Sequence, residues 1–113
     1  MRKECIRVYY KRPGKNLIEV KIPNELEWLQ GAVEGFIETI TLRAGENGMP
    51  DLVMVCNEEG KLEGMEVNFY MPQYNDEIVG PVLFAGVDGE EFTDCPVNRK
   101  QLDMYLRTCG VIL

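Results

Sequence analysis

Residues 4–22 read Glu4-Cys5-Ile6-Arg7-Val8-Tyr9-Tyr10-Lys11-Arg12-Pro13-Gly14-Lys15-Asn16-Leu17-Ile18-Glu19-Val20-Lys21-Ile22. Over 4–10 the chain alternates and is rich in β-branched and aromatic residues, the pattern of a strand. Arg12-Pro13-Gly14-Lys15 has turn chemistry, with proline fixing φ and glycine free to take φ > 0. Residues 16–22 alternate again, placing Ile18, Val20 and Ile22 on one face. Two strands joined by so short a turn form an antiparallel hairpin.

Downstream, Pro23 ends the second strand and Asn24 has the character of an N-cap, with Glu27 three residues on completing a capping-box-like pattern. The spacing predicts a helix over 25–34 with Leu26, Leu29, Ala32 and Val33 on one stripe, Trp28 beside it, and Gly35 as its stop. Residues 36–43 read as a strand and Ala44 to Pro50 as a loop. Leu52-Val53-Met54-Val55-Cys56 is the continuous apolar run of a buried strand over 51–57, followed by a turn at 57–60. Residues 61–79, punctuated by glycine, proline, asparagine and acids, read as a long surface segment. Residues 80–87 form a strand closed by Asp88-Gly89. Thr93 or Asn98 caps a last helix with Leu102, Tyr105 and Leu106 on its apolar face and Gly110 as its stop. Val111-Ile112-Leu113 then joins a sheet edge or the core. The expected fold is a single α+β domain over 1–113, a mainly antiparallel five-stranded sheet with two helices in the order ββαβββα. The helices are expected on one face, and the strand-helix-strand step over 16–43 is expected to be parallel with a right-handed crossover.

The chain has 113 residues, 45% of them hydrophobic and 27% charged, an ordinary globular composition. It contains no histidine and no serine. That removes the commonest general base and metal ligand and any serine-type triad, so the reading leans away from an enzyme. No apolar run approaches membrane-spanning length, and charges interrupt the N-terminus where a signal peptide would be apolar, so the expected location is the cytoplasm.

The cysteines, Cys5, Cys56, Cys95 and Cys109, are widely and irregularly spaced. Zinc sites need close ligand pairs, and none is present. Cys5, Cys56 and Cys109 read as small core residues. Cys95, between Asp94 and Pro96 at an expected helix start, is the candidate reactive thiol, because helix N-termini lower thiol pKa. No cofactor is expected.

Three blocks carry a family resemblance: Asn24-x-Leu26-x-x-Leu29-Gln30 with Val33-x-Gly35-Phe36-Ile37-Glu38; Val55-Cys56-Asn57-Glu58-Glu59-Gly60-Lys61; and Ile78-Val79-Gly80-Pro81-Val82-Leu83-Phe84-Ala85-Gly86. In this order they resemble a family of small domains carried by bacteriophages and conjugative elements of Gram-positive bacteria, catalogued as a domain of unknown function. The resemblance covers roughly residues 16–113. It implies a mobile-element origin and a bacterial cytoplasm, and it carries no catalytic residues. Residues 62–75 depart from the family pattern.

Charge is unevenly placed. Residues 1–21 carry net +5, residues 22–98 net −14 and residues 99–113 net +2. The acidic stretch predicts a non-enzymatic protein-interaction module whose partner has a basic surface, with a DNA-mimic, anti-restriction-like role as its sharpest form. Glu58, Glu59, Asp88, Glu90 and Glu91 are the candidate interaction residues. The same acids are also candidate oxygen ligands for a divalent cation, although neither cluster matches the calcium loop, and no metal site is assigned. Tyr9, Tyr10, Lys11 and Arg12 set aromatics beside cations as single-strand binders do, but the acidic remainder repels phosphate, so direct nucleic-acid binding is not expected. The alternatives are a carboxylate- or thiol-dependent enzyme, and a self-associating structural protein using Val111-Ile112-Leu113 as its edge.

Overall fold

The computed structural model describes residues 4–113; Arg2 and Lys3 of the basic N-terminal segment lie outside the described residues. The chain forms β1 (Cys5–Lys11), β2 (Ile18–Pro23), α1 (Leu26–Val33), β3 (Ile37–Arg43), β4 (Asp51–Asn57), β5 (Val67–Met71), a 3₁₀ turn (Pro72–Tyr74), β6 (Asp76–Val79), β7 (Val82–Asp88), β8 (Glu91–Thr93) and α2 (Arg99–Thr108). The class is α+β with two helices and antiparallel sheets, as expected, and among the described residues every strand pair is antiparallel, with no parallel step. The strand count differs. The main sheet has six strands, in the order β2-β1-β7-β4-β3 with β8 also on β7, and β5 and β6 make a separate hairpin.

That hairpin corrects the reading of 61–79 as a surface segment. Val67, Phe69 and Met71 alternate, and Phe69 and Met71 are buried. The acids and the Pro72–Asn75 corner mask a period-2 pattern only five residues long. A lone hairpin is marginal in water; here it is held by burial against the sheet.

The helices do not share a face. Ile6, Val8, Val53, Val55, Leu83 and Ala85 pack with Leu29 and Val33 of α1. Tyr9, Leu52, Met54 and Phe84 pack with the β5–β6 hairpin and with Leu102 and Leu106 of α2. Both faces of β4 and β7 are therefore covered, which is why these two strands read as unbroken apolar runs. The step from β2 to β3 also differs from expectation. The two strands run in the same direction, but they lie at opposite edges of the sheet and do not pair.

Local signals were partly reassigned. Asn98 caps α2 in a full capping box with Gln101, and Gly110 follows with φ 86°. The N-cap of α1 is Glu25, with no side-chain bond. Asn24 is buried, and its Nδ2 donates to the Phe92 carbonyl at 2.9 Å. Tertiary burial thus outbids the local cap. Leu26, expected on the buried stripe, is 55% exposed. The left-handed C-cap of α1 is Glu34, φ 64°. Gly35 is needed for a different reason: a Cβ there would stand 2.5 Å from Asn57 Nδ2. Of the tail, Val111 enters the core while Ile112 is 89% exposed, and neither lies in a strand.

Candidate functional site

A cleft of about 200 Å³ opens where the C-terminal end of β4 meets β3 and β6. Ile40, Cys56, Ile78 and Val79 contribute its apolar lining, and Glu38, Glu58, Glu59 and Glu77 line it with carboxylates. Among the described residues Lys61 is the one cation of the lining, and it is ion-paired with Asp76. The four glutamates have no ion pair to a described residue.

Asn57 builds this corner. Its Nδ2 donates to the carbonyls of Val33 and Glu34 at 3.1 and 3.2 Å, satisfying the end of α1. Its Oδ1 accepts the Glu59 N–H at 2.7 Å, an Asx turn that starts the bend carrying Glu58 and Glu59. The expected turn is there, but Gly60 is not at positive φ. Its hydrogen is required by space, since a Cβ would meet Val79 Cγ2 at 2.8 Å.

The other flank is positioned by Asn68. Its Nδ2 donates to the carbonyls of Lys11 and Gly80 at 2.9 and 2.8 Å, and its Oδ1 accepts from Lys11 Nζ at 2.8 Å. These bonds tie the β5–β6 hairpin, and with it Glu77, to β1. Lys11 is buried, and burial lowers its pKa. Neither asparagine was singled out as a site residue. For Asn57 the sequence signal is the turn that it starts, and for Asn68 it is a polar residue between Val67 and Phe69.

The sequence-predicted acids fall into two groups. Asp51 pairs with Val87 and Val55 with Leu83, so Asn57 and Asp88 lie at opposite ends of the sheet. Glu58 and Glu59 border the cleft. Asp88, Glu90 and Glu91 surround the β7–β8 turn at the far pole, about 20 Å away at the rise of a strand. They do not form one surface. Among the described residues no cluster of three or more His, Cys, Asp or Glu side chains is placed to hold a metal ion.

Cys95 is not at a helix start. Helix α2 begins at Arg99, and Cys95 is 1% exposed in the core, where burial raises its thiol pKa. Burial pushes Cys56 up to about 11. Cys5, expected in the core, is exposed. Native protein is therefore expected to react with a disulfide reagent at Cys5 about a hundredfold faster than at Cys95, which must wait for opening of the core. Mass spectrometry of the labelled peptides checks this; comparable labelling of Cys95 would refute it. The Cys56 shift also has a sign. The unfolded thiol ionises near pH 9 and the folded one near 11, so its stabilisation is whole below pH 9 and is lost as pH rises toward 11. Urea midpoints across that window should fall more steeply for the parent than for Cys56→Ala.

The two tyrosines of the hairpin are engaged internally, whereas Arg12 beside them is exposed. Tyr9 is buried, its hydroxyl accepting from Arg7 at 2.5 Å and donating to Glu19 Oε1 at 3.2 Å. The Tyr10 hydroxyl donates to the Ala32 carbonyl at 2.8 Å. No stacking platform for bases is presented by this pair.

A mixed α+β protein with an antiparallel sheet covered on both faces, and a carboxylate-lined cleft at one end, is the class that fold and site define. Residues 6–109 match the family model described as Domain of unknown function (DUF3846), and the chain belongs to that family. No curated protein and no solved structure matches it. Among the described residues no helix is long and apolar enough to cross a membrane.

Proposed function

We propose that this protein is a non-enzymatic interaction module whose acidic cleft receives basic side chains of a protein partner. The observation that carries this reading is the set of four glutamates, Glu38, Glu58, Glu59 and Glu77, around a cleft whose only cation among the described residues, Lys61, is already paired with Asp76. Carboxylates gathered on a concave surface steer a basic partner and fit lysine or arginine stems against an apolar lining. The separation of the two acidic poles favours a protein partner over mimicry of a continuous phosphate array. The alternative of a thiol enzyme is disfavoured by the burial of Cys56 and Cys95, which opposes thiolate formation. A cytoplasmic setting in a phage or conjugative element rests on the sequence blocks that carry the family resemblance.

The test is a salt-washed pull-down from nuclease-treated bacterial lysate with three baits. A partner held by the parent should be lost from Glu58→Lys/Glu59→Lys and kept by Glu90→Lys/Glu91→Lys. Two like-charge replacements at the contact should weaken binding by roughly tenfold or more. Equal retention by all three baits removes the cleft from consideration.

A further inference from the structure

We propose that the free edge of β2 is a self-association surface that pairs antiparallel with β2 of a second copy, about a two-fold axis at Val20. The strand path β2-β1-β7-β4-β3 ends at two long edges, β2 and β3, with the three-residue β8 off the path on β7. The β3 edge carries a bulge between Thr41 and Arg43, a device that blunts an edge. The β2 edge is unbroken, in continuous register with β1 from Cys5↔Pro23 to Tyr10↔Ile18.

The register fixes which backbone groups β2 leaves open. Asn24 N–H donates to the Glu4 carbonyl at 2.8 Å, one step beyond the Cys5↔Pro23 pair. Hydrogen-bonded pairs alternate in an antiparallel ladder, so Ile22, Val20 and Ile18 bond toward β1. Glu19 and Lys21 turn their N–H and C=O groups to the open side. A second copy centred on Val20 sets Glu19 against Lys21 of that copy and Lys21 against its Glu19, which closes four backbone hydrogen bonds.

The side chains obey the same symmetry. Ile18-Glu19-Val20-Lys21-Ile22 reversed places isoleucine on isoleucine, valine on valine and acid on base. Within one chain Lys21 lies opposite Arg7, a like-charge pair. Arg7 is drawn away to the Cys95 carbonyl and the Tyr9 hydroxyl, at 2.6 and 2.5 Å. Lys21 is exposed and has no ion pair among the described residues; Glu19 of a second copy supplies one. On the opposite face, Val20 and Ile22 line an apolar groove of about 510 Å³ with Tyr10, Ala32 and Trp28, the last 53% exposed. Pairing extends that groove into one apolar strip shared by two copies.

Sedimentation velocity across a hundredfold range of concentration tests the pairing. The parent should shift from the 12.9 kDa chain toward twice that mass. Glu19→Lys and Lys21→Glu each place like charges opposite one another twice and should weaken association by about tenfold. An equimolar mixture of the two variants should regain the dimer as a heterodimer, and so should the chain carrying both substitutions. Circular dichroism establishes that each variant is folded. A parent that stays monomeric throughout overturns the proposal and leaves the groove to a different partner. Single variants that dimerise like the parent overturn it too, placing the contact elsewhere on the chain.

Discussion

Replacing Asn57 with alanine is expected to lower the unfolding free energy by about 2–4 kcal/mol, a fall in Tm of roughly 10–20 °C. Asn57 is 6% exposed, and its side chain makes three hydrogen bonds. Its loss strands two carbonyls at the end of α1 and the Glu59 N–H, each a partly desolvated group costing about 1–3 kcal/mol when unpaired. Gly35→Ala attacks the same node from the other side, because its Cβ would press on Asn57 Nδ2. In the Asn57→Ala background the three atoms nearest that methyl are gone. The two losses should therefore be far from additive in urea titrations. Additive losses would mean that Asn57 and Gly35 act separately and that the corner is not built as described. The Asn57 variant should also loosen the turn that holds Glu58 and Glu59, so its binding in the pull-down should weaken even at temperatures where it remains folded.

Asn68→Leu is expected to cost about 3 kcal/mol, because it leaves the buried Lys11 ammonium without its side-chain partner. It also releases the carbonyls of Lys11 and Gly80. Lys11→Met added to Asn68→Leu removes the stranded charge and should restore about 1 kcal/mol or more, since deleting both members of a buried polar pair costs less than deleting one. A double-mutant cycle by chemical denaturation measures that coupling. A cycle that closes at zero would show that the ammonium finds water readily and that the hairpin is held by Phe69, Met71 and Ile78 alone.

These two asparagines show where sequence reasoning stops. Asn57 was legible as the start of a turn, because an Asx turn is a local bond. Its second role, satisfying carbonyls more than twenty residues earlier in the chain, was not. Asn68 sits in the stretch that read as a connection, where acids and proline hide the alternation of Val67, Phe69 and Met71. Asn24 looked like a helix cap and was taken instead by a carbonyl 68 residues away. In each case a bond distant in sequence competes with a local one, and burial decides the outcome.

The sequence by itself determined the N-terminal hairpin, both helices, strands β3, β4 and β7, the capping of α2 by Asn98, and the absence of histidine and serine chemistry. These follow from composition, from periods of 2 and 3.6 residues, and from bonds spanning a few positions. Only the tertiary structure decided that the helices cover opposite faces and that residues 67–79 form a hairpin. It alone decided that Cys95 is core, that Glu58 and Glu59 share a cleft with Glu38 and Glu77 while Asp88, Glu90 and Glu91 lie at the other pole, and that β2 is a free edge. The physical reason is that exposed charges carry no periodic signal. Which of them become neighbours is set by strand order and register, and those are chosen by how apolar faces far apart in the chain pack together.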